Sequence, residues 1–84
     1  MFLTLYVSVE YDEYEVGVDV TFYEDRFDFT VDEYSKNEEP WETGPGTDEL
    51  QNAVRDYIEA NDFELRWQAI EDARERARDA HFGL

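Results

Sequence analysis

Residues 3–31, LTLYVSVEYDEYEVGVDVTFYEDRFDFTV, decide the fold. Leu3, Leu5, Val7 and Val9 alternate with polar residues, as do Val16, Val18, Val20 and Phe22, and then Phe27, Phe29 and Val31. Clean alternation over segments of this length marks strands with one buried face. Two-residue loops at Asp12-Glu13 and Glu24-Asp25 predict that Val9 pairs with Val16 and Leu5 with Val20, then Phe22 with Phe27 and Val20 with Phe29. Every inward residue then meets another inward residue, so the register is self-consistent. Neither loop carries the Asn-Gly signal of tight hairpins, which leaves four-residue loops open.

Downstream, residues 35–46 (SKNEEPWETGPG) hold both prolines and two of the four glycines and read as a loop. Thr47 then suits a helix N-cap, with Asp48 and Glu49 placed to complement the helix dipole. Leu50, Val54, Tyr57 and Ile58 share one helical face to about residue 60. Asn61 followed by Glu64 resembles a capping box, after which the apolar stripe changes phase to Phe63, Trp67 and Ile70. A second helix set at an angle to the first explains that change, and its arginines gather toward the C-terminal end, where the dipole favours them. The expected fold is therefore α+β: a three-stranded antiparallel meander (1–34), an acidic loop (35–46) and two helices (47–84) on one face, as one domain. Leu5, Val7, Val18, Val20, Phe29, Val54, Ile58 and Trp67 are its expected core.

Charge is the second strong signal. The 84 residues carry 23 acids and 7 bases, a net −16. All of that excess falls in residues 1–64, whose only bases are Arg26, Lys36 and Arg55; residues 65–84 are neutral. Over a globule roughly 30 Å across this approaches the linear charge density of duplex DNA, about one charge per 1.7 Å. Such self-repulsion destabilises a small fold and calls for a basic partner. The chain is not an acidic disordered tail, because six Phe, six Tyr and two Trp accompany the acids.

The same register places Thr4, Tyr6, Ser8 and Glu10 on the solvent face of the sheet. Glu15, Gly17, Asp19, Thr21 and Tyr23 join them, followed by Asp28, Thr30, Asp32 and Tyr34, with Glu10 directly across from Glu15. Among these strands and turns only Arg26 opposes ten acids, whereas ordinary surfaces intersperse both signs. Glu10, Glu15, Asp19, Asp28 and Asp32 are thus the candidate partner-binding residues of the sheet. Glu38, Glu39, Trp41 and Glu42 extend them from the loop, where Trp41 between acids suits a guanidinium-bearing partner. A solvated strand face, or adaptation to high salt, is the plain alternative. Gly17 in mid-strand either admits a close neighbour or is a mild defect.

Catalytic chemistry has no foothold. There is no cysteine, Ser8 and Ser35 lack a nearby base, and the one histidine, His81, stands near the end of the chain. No phosphate-binding glycine loop opens a helix, and no acid spacing matches a calcium loop. No cofactor and no enzyme is expected. The sign of the charge opposes both nucleic acid and anionic membranes as direct partners. The apolar opening MFLTLYVSV is too short to span a bilayer and lacks a basic leader, so the expected location is the cytoplasm.

In size and charge, though not in any motif, the chain resembles small acidic phage-encoded inhibitors of bacterial defence, of the anti-CRISPR and anti-restriction type. That resemblance implies an inhibitor that mimics DNA or RNA in the groove of a basic protein such as a CRISPR effector, restriction enzyme or nuclease. The alternatives are an immunity protein or antitoxin, anchored on a cationic toxin through a few residues such as Trp41 and Tyr34, and an acidic accessory module of a halophilic proteome. An uncovered edge at strand one or three is open to a homodimer.

Overall fold

The computed structural model describes residues 1–82, with side chains to residue 77; the side chains of Arg78 and His81 lie outside the described residues. Three long strands form the meander, β1 (Phe2–Val9), β2 (Asp12–Phe22) and β3 (Phe27–Lys36). A two-residue strand, β4 (Glu42–Thr43), arises within the loop and pairs with Glu33 and Tyr34, giving a four-stranded antiparallel sheet in the order β1-β2-β3-β4. Two helices follow, α1 (Asp48–Ala60) and α2 (Asp62–Phe82).

The second hairpin has the expected register, with Phe22 opposite Phe27 and Val20 opposite Phe29. The first does not. Its turn is Glu10-Tyr11, so Val9 pairs with Asp12, Leu5 with Val16 and Leu3 with Val18. Glu10 adopts a positive φ of 55° there, a turn conformation open to few non-glycine residues. The slip relative to the expected pairing is an even number of residues, and a period-two strand keeps its faces through an even slip. The inward set therefore survives although its partners change.

A second departure lies in β3. A bulge opposite Gly17 and Val18 leaves Asp32 without a cross-strand partner and reverses the side-chain alternation beyond it. Tyr34, expected on the solvent face, is carried to the inner face, where it packs half-buried against Tyr14 at 6.2 Å between ring centroids. Glu33 takes the outer position, opposite Gly17.

The core joins Leu5, Val7, Val16, Val18, Val20 and Val31 of the sheet to Leu50, Val54 and Ile58 of α1 and Leu65 of α2. Burying a side chain of this kind stabilises by about 1.5–3 kcal/mol. Thr47 caps α1 through a hydrogen bond from the Leu50 N–H to its Oγ1 (3.2 Å), with Asp48 and Glu49 in the first turn. Gly46, at φ 74°, brings the chain so close to Leu50 that a Cβ would meet Leu50 Cδ2 at 2.6 Å. Asn61 does not form the expected capping box. Its side-chain amide donates backward to the Tyr57 carbonyl (2.9 Å), closing α1.

The apolar stripe of α2 is a correction as well. Phe63, Trp67 and Ile70 are exposed, Trp67 to 50%, and Leu65 is the buried anchor. Arg66, beside Leu65, ties the helix to the second hairpin. It hydrogen-bonds the carbonyls of Tyr23 and Arg26, pairs with Asp62 at 2.7 Å, and lies over the Phe22 ring. No described helix is long and apolar enough to cross a membrane.

Candidate functional site: the acidic outer face

Helix α1 covers one face of the sheet and leaves the other to solvent. On that outer face β2 presents Glu13, Glu15, Gly17 and Asp19, while β3 presents Asp28, Thr30 and Glu33. The carboxylates do not confront one another. Glu13 lies opposite Ser8, and Glu15 lies between Tyr6 and Ser35. Asp19 lies between Phe2 and Thr30, Asp28 opposite Thr21, and Glu33 between Gly17 and Thr43. Each acid therefore has neutral cross-strand neighbours, and acids approach only along a strand or on the diagonal, at about 7 Å. Glu10, expected opposite Glu15, sits in the hairpin turn, and Tyr6 occupies the place assigned to it.

Tyr6 uses that place chemically. Its hydroxyl donates to Glu15 Oε1 at 3.2 Å, and the adjacent carboxylate raises the phenol above its ordinary pKa, because a phenolate there would face a like charge. Gly17 also has a use. A Cβ on it would stand 3.0 Å from both Phe2 Cζ and Glu33 Cγ, so the bare backbone lets an aromatic ring and the stem of an acid lie across the sheet. Of the two readings of Gly17, close approach is the one realised, by Phe2 and Glu33.

The loop acids divide between the two sides of the sheet. Asn37 and Glu38 both take positive φ, 50° and 63°. Asn37 clasps the start of β2: its N–H donates to the Glu13 carbonyl (2.7 Å), its Oδ1 accepts from the Glu13 N–H (2.9 Å), and its Nδ2 donates to Asp12 Oδ1 (2.9 Å). That clasp brings Glu38 beside Glu13, Glu15 and Tyr6 around a shallow groove of about 270 Å³. Glu39 and Glu42 instead line a separate hollow with Tyr14, Tyr34 and Lys36 on the inner side. The Glu42 carboxylate raises the Tyr34 hydroxyl's pKa by accepting its hydrogen bond. Trp41 is 45% exposed between Pro40 and Glu42. Asp32 is exposed at the bulge, where its carbonyl accepts from Gly44.

Glu15, Asp19, Asp28 and Glu38 thus share one side, with Asp32 at its bulge; Glu10 stands at the turn, and Glu39 and Glu42 lie elsewhere. Glu33 was missed, because nothing in VDEYS announces a bulge; Glu13 was read as a hairpin tip.

The cations are held away from this face. Lys36 pairs with Asp12 at 3.4 Å; this neighbour raises the lysine's pKa, while the Asn37 hydrogen bond, with help from Lys36, lowers the aspartate's. Arg26 lies over Tyr23, Arg55 over Phe29, and Arg76 pairs with Asp72. The terminal amine of Met1, 3.4 Å from Asp19, is the one cation that an ion pair places against an outer-face acid among the described residues. Among those residues no cluster of three acids converges as a metal site would require. Comparison with protein-family models, with characterised proteins and with solved structures yields no match to this chain.

Proposed function

We propose that this chain is an acidic binding protein, not an enzyme, which occupies the nucleic-acid groove of a basic partner and so inhibits it. The observation that carries the reading is the segregation of charge: outer-face carboxylates in a fixed lattice, with Lys36, Arg66 and Arg76 paired and Arg26 and Arg55 stacked elsewhere. Against a Lys/Arg-lined groove such a lattice replaces phosphates and releases counterions as nucleic acid does. A CRISPR effector, restriction enzyme or nuclease inside a bacterial host is the kind of partner this reading requires, and a phage-encoded inhibitor is the kind of protein.

The antidote reading depends on a few desolvated anchors, with Trp41 and Tyr34 the best placed in sequence. Tyr34 is turned to the inner face and packed on Tyr14, which weakens that reading. The test is competition. A partner captured from host lysate is titrated with its own DNA or RNA in the presence of this protein. Mutually exclusive binding with a steep inverse dependence on salt supports mimicry. A ternary complex would sink it.

A further inference from the structure

The far edge of the sheet offers a second surface of a different kind. Strand β4 pairs only with Glu33 and Tyr34, so the stretch of β3 from Phe27 to Val31 has no strand beside it. Antiparallel ladders alternate between pairs that exchange both backbone bonds and pairs that exchange none. The bond from the Tyr23 N–H to the Arg26 carbonyl (2.8 Å) sets the phase at the turn. Asp28 and Thr30 therefore bond inward to β2, while Phe27, Phe29 and Val31 turn their N–H and C=O groups to the open edge. Among the described residues nothing accepts or donates there. Helix α1 packs chiefly on β1, and its Gln51, Arg55 and Glu59 side stands across an open space from this edge. Between the free edge and the helices runs an open groove of about 850 Å³, with Phe27 and Phe29 at the strand side and Gln51, Arg55 and Glu59 at the helix side.

We propose that this groove takes an extended basic segment of a partner protein as an added strand. Backbone groups of three alternate residues, spanning about 14 Å at 3.4 Å per residue, supply the hydrogen bonds for strand addition. Side chains of the incoming strand that point inward continue the Phe27–Phe29 row, so they are apolar. Those that point outward pass beside Asp28. Around the groove stand five carboxylates, Glu24, Asp25, Asp28, Glu59 and Asp62, against three guanidiniums. The guanidiniums are occupied, Arg66 by Asp62 and two carbonyls, and Arg26 and Arg55 by aromatic rings. A second copy of this chain would bring −16 toward −16. Electrostatics thus selects a cationic occupant over self-association. This surface meets the outer face only at Asp28, and its test does not involve nucleic acid.

The probe is a seven-residue peptide alternating lysine and valine, blocked at both ends, added to the intact protein. Amide exchange followed by NMR should show new protection at Phe27, Phe29 and Val31. A peptide with glutamate in place of lysine should give none. A lysine-valine peptide N-methylated on alternate amides, in either of the two phases, should give none in the phase that removes the strand's bonding edge. Phe29→Pro deletes one outward N–H together with the ring packed against the core, so it is compared with Phe29→Ala, which loses the ring and keeps the N–H. The proline variant should bind about tenfold more weakly than the alanine variant, as loss of one hydrogen bond of about 1.4 kcal/mol does. Glu59→Lys, an exposed change that spares the fold, should weaken it several-fold. Absence of protection at millimolar peptide overturns the proposal, as does equal binding by both methylated peptides. Protection of the three amides in the free protein, together with a dimer by sedimentation, overturns it in favour of a second copy.

Discussion

The Tyr6 hydroxyl and the Glu15 carboxylate meet across the first hairpin at 3.2 Å, on the solvent face of the sheet. This pairing gives Glu15 a neutral donor where a like charge would have cost stability, and the other outer-face acids are likewise set opposite neutral residues. Repulsion on this face is consequently a sum of diagonal and longer-range terms, which salt screens readily.

Stability should therefore rise with moderate salt. Between about 20 mM and 0.5 M the Debye length contracts several-fold, and the melting temperature should climb by several degrees before levelling off. A flat melting temperature over that range would remove self-repulsion as a feature of the fold.

Replacing Val18 by Asp should abolish folding. Val18 is fully buried at the centre of β2, and a carboxylate there has no partner to offset its desolvation. The cost, above about 3 kcal/mol, is a large share of the total stability of a domain this small. Native circular dichroism and melting of this variant would show that the inner face is misassigned.

The two sides of α2 offer a sharper contrast. Leu65→Ala should cost about 2–3 kcal/mol, whereas Trp67→Ala should cost about 0.5 kcal/mol or less, because only the leucine leaves a cavity. Denaturant unfolding of the two variants measures both, and equal losses would mean that α2 packs through the other stripe.

These cases show how far the residues themselves announce the structure. Alternation identified the inward apolar residues of the three long strands as far as the β3 bulge, and Thr47 marked its helix start correctly. Alternation could not fix which inward residues meet, since the turn at Glu10-Tyr11 uses no glycine and a slip by an even number of residues costs no inward face. The Asp32 bulge was invisible for a related reason: inserting one residue changes the pattern only beyond it, where Tyr34 and Ser35 are ambiguous in polarity. In α2 three large apolar residues outvoted one leucine, although tertiary contact through Leu65 and Arg66 decides the packing. The acidic face was legible as a charge excess, but its placement of acids opposite neutral residues depends on the register and so was not.

Asp12, Asn37 and Lys36 predict a pH dependence of their own. The Asn37 hydrogen bond, assisted by Lys36, holds the folded Asp12 carboxyl below its ordinary pKa. Its contribution to stability is therefore present above the unfolded aspartate pKa and is lost as pH falls through the lower folded value. Asp12→Ala should melt below wild type near neutral pH, and the difference should shrink as pH falls below the unfolded aspartate pKa of about 3.9. A difference that persists in strong acid would assign the effect to packing. Asn37→Ala, which removes the bonds to both Asp12 and Glu13, should cost about 1 kcal/mol even there, since the Glu13 N–H loses its acceptor at any pH.

The outer face itself is tested by charge reversal. Glu15→Lys with Asp28→Lys places two cations in the lattice, and both positions lie on the side that also carries Asp19 and Glu38. Reversing Glu71 and Asp72 on α2 changes the net charge equally but leaves that lattice intact. If the lattice binds a basic groove, the first pair should weaken association at least tenfold more than the second. Most of the loss should appear in the association rate and shrink as salt is added, because long-range attraction acts on encounter. Asp72 is paired with Arg76, so the control variant is first checked for an unchanged melting temperature. Equal losses from the two pairs would mean that net charge alone attracts the partner; a loss confined to the dissociation rate would point to a few desolvated anchors in place of an array.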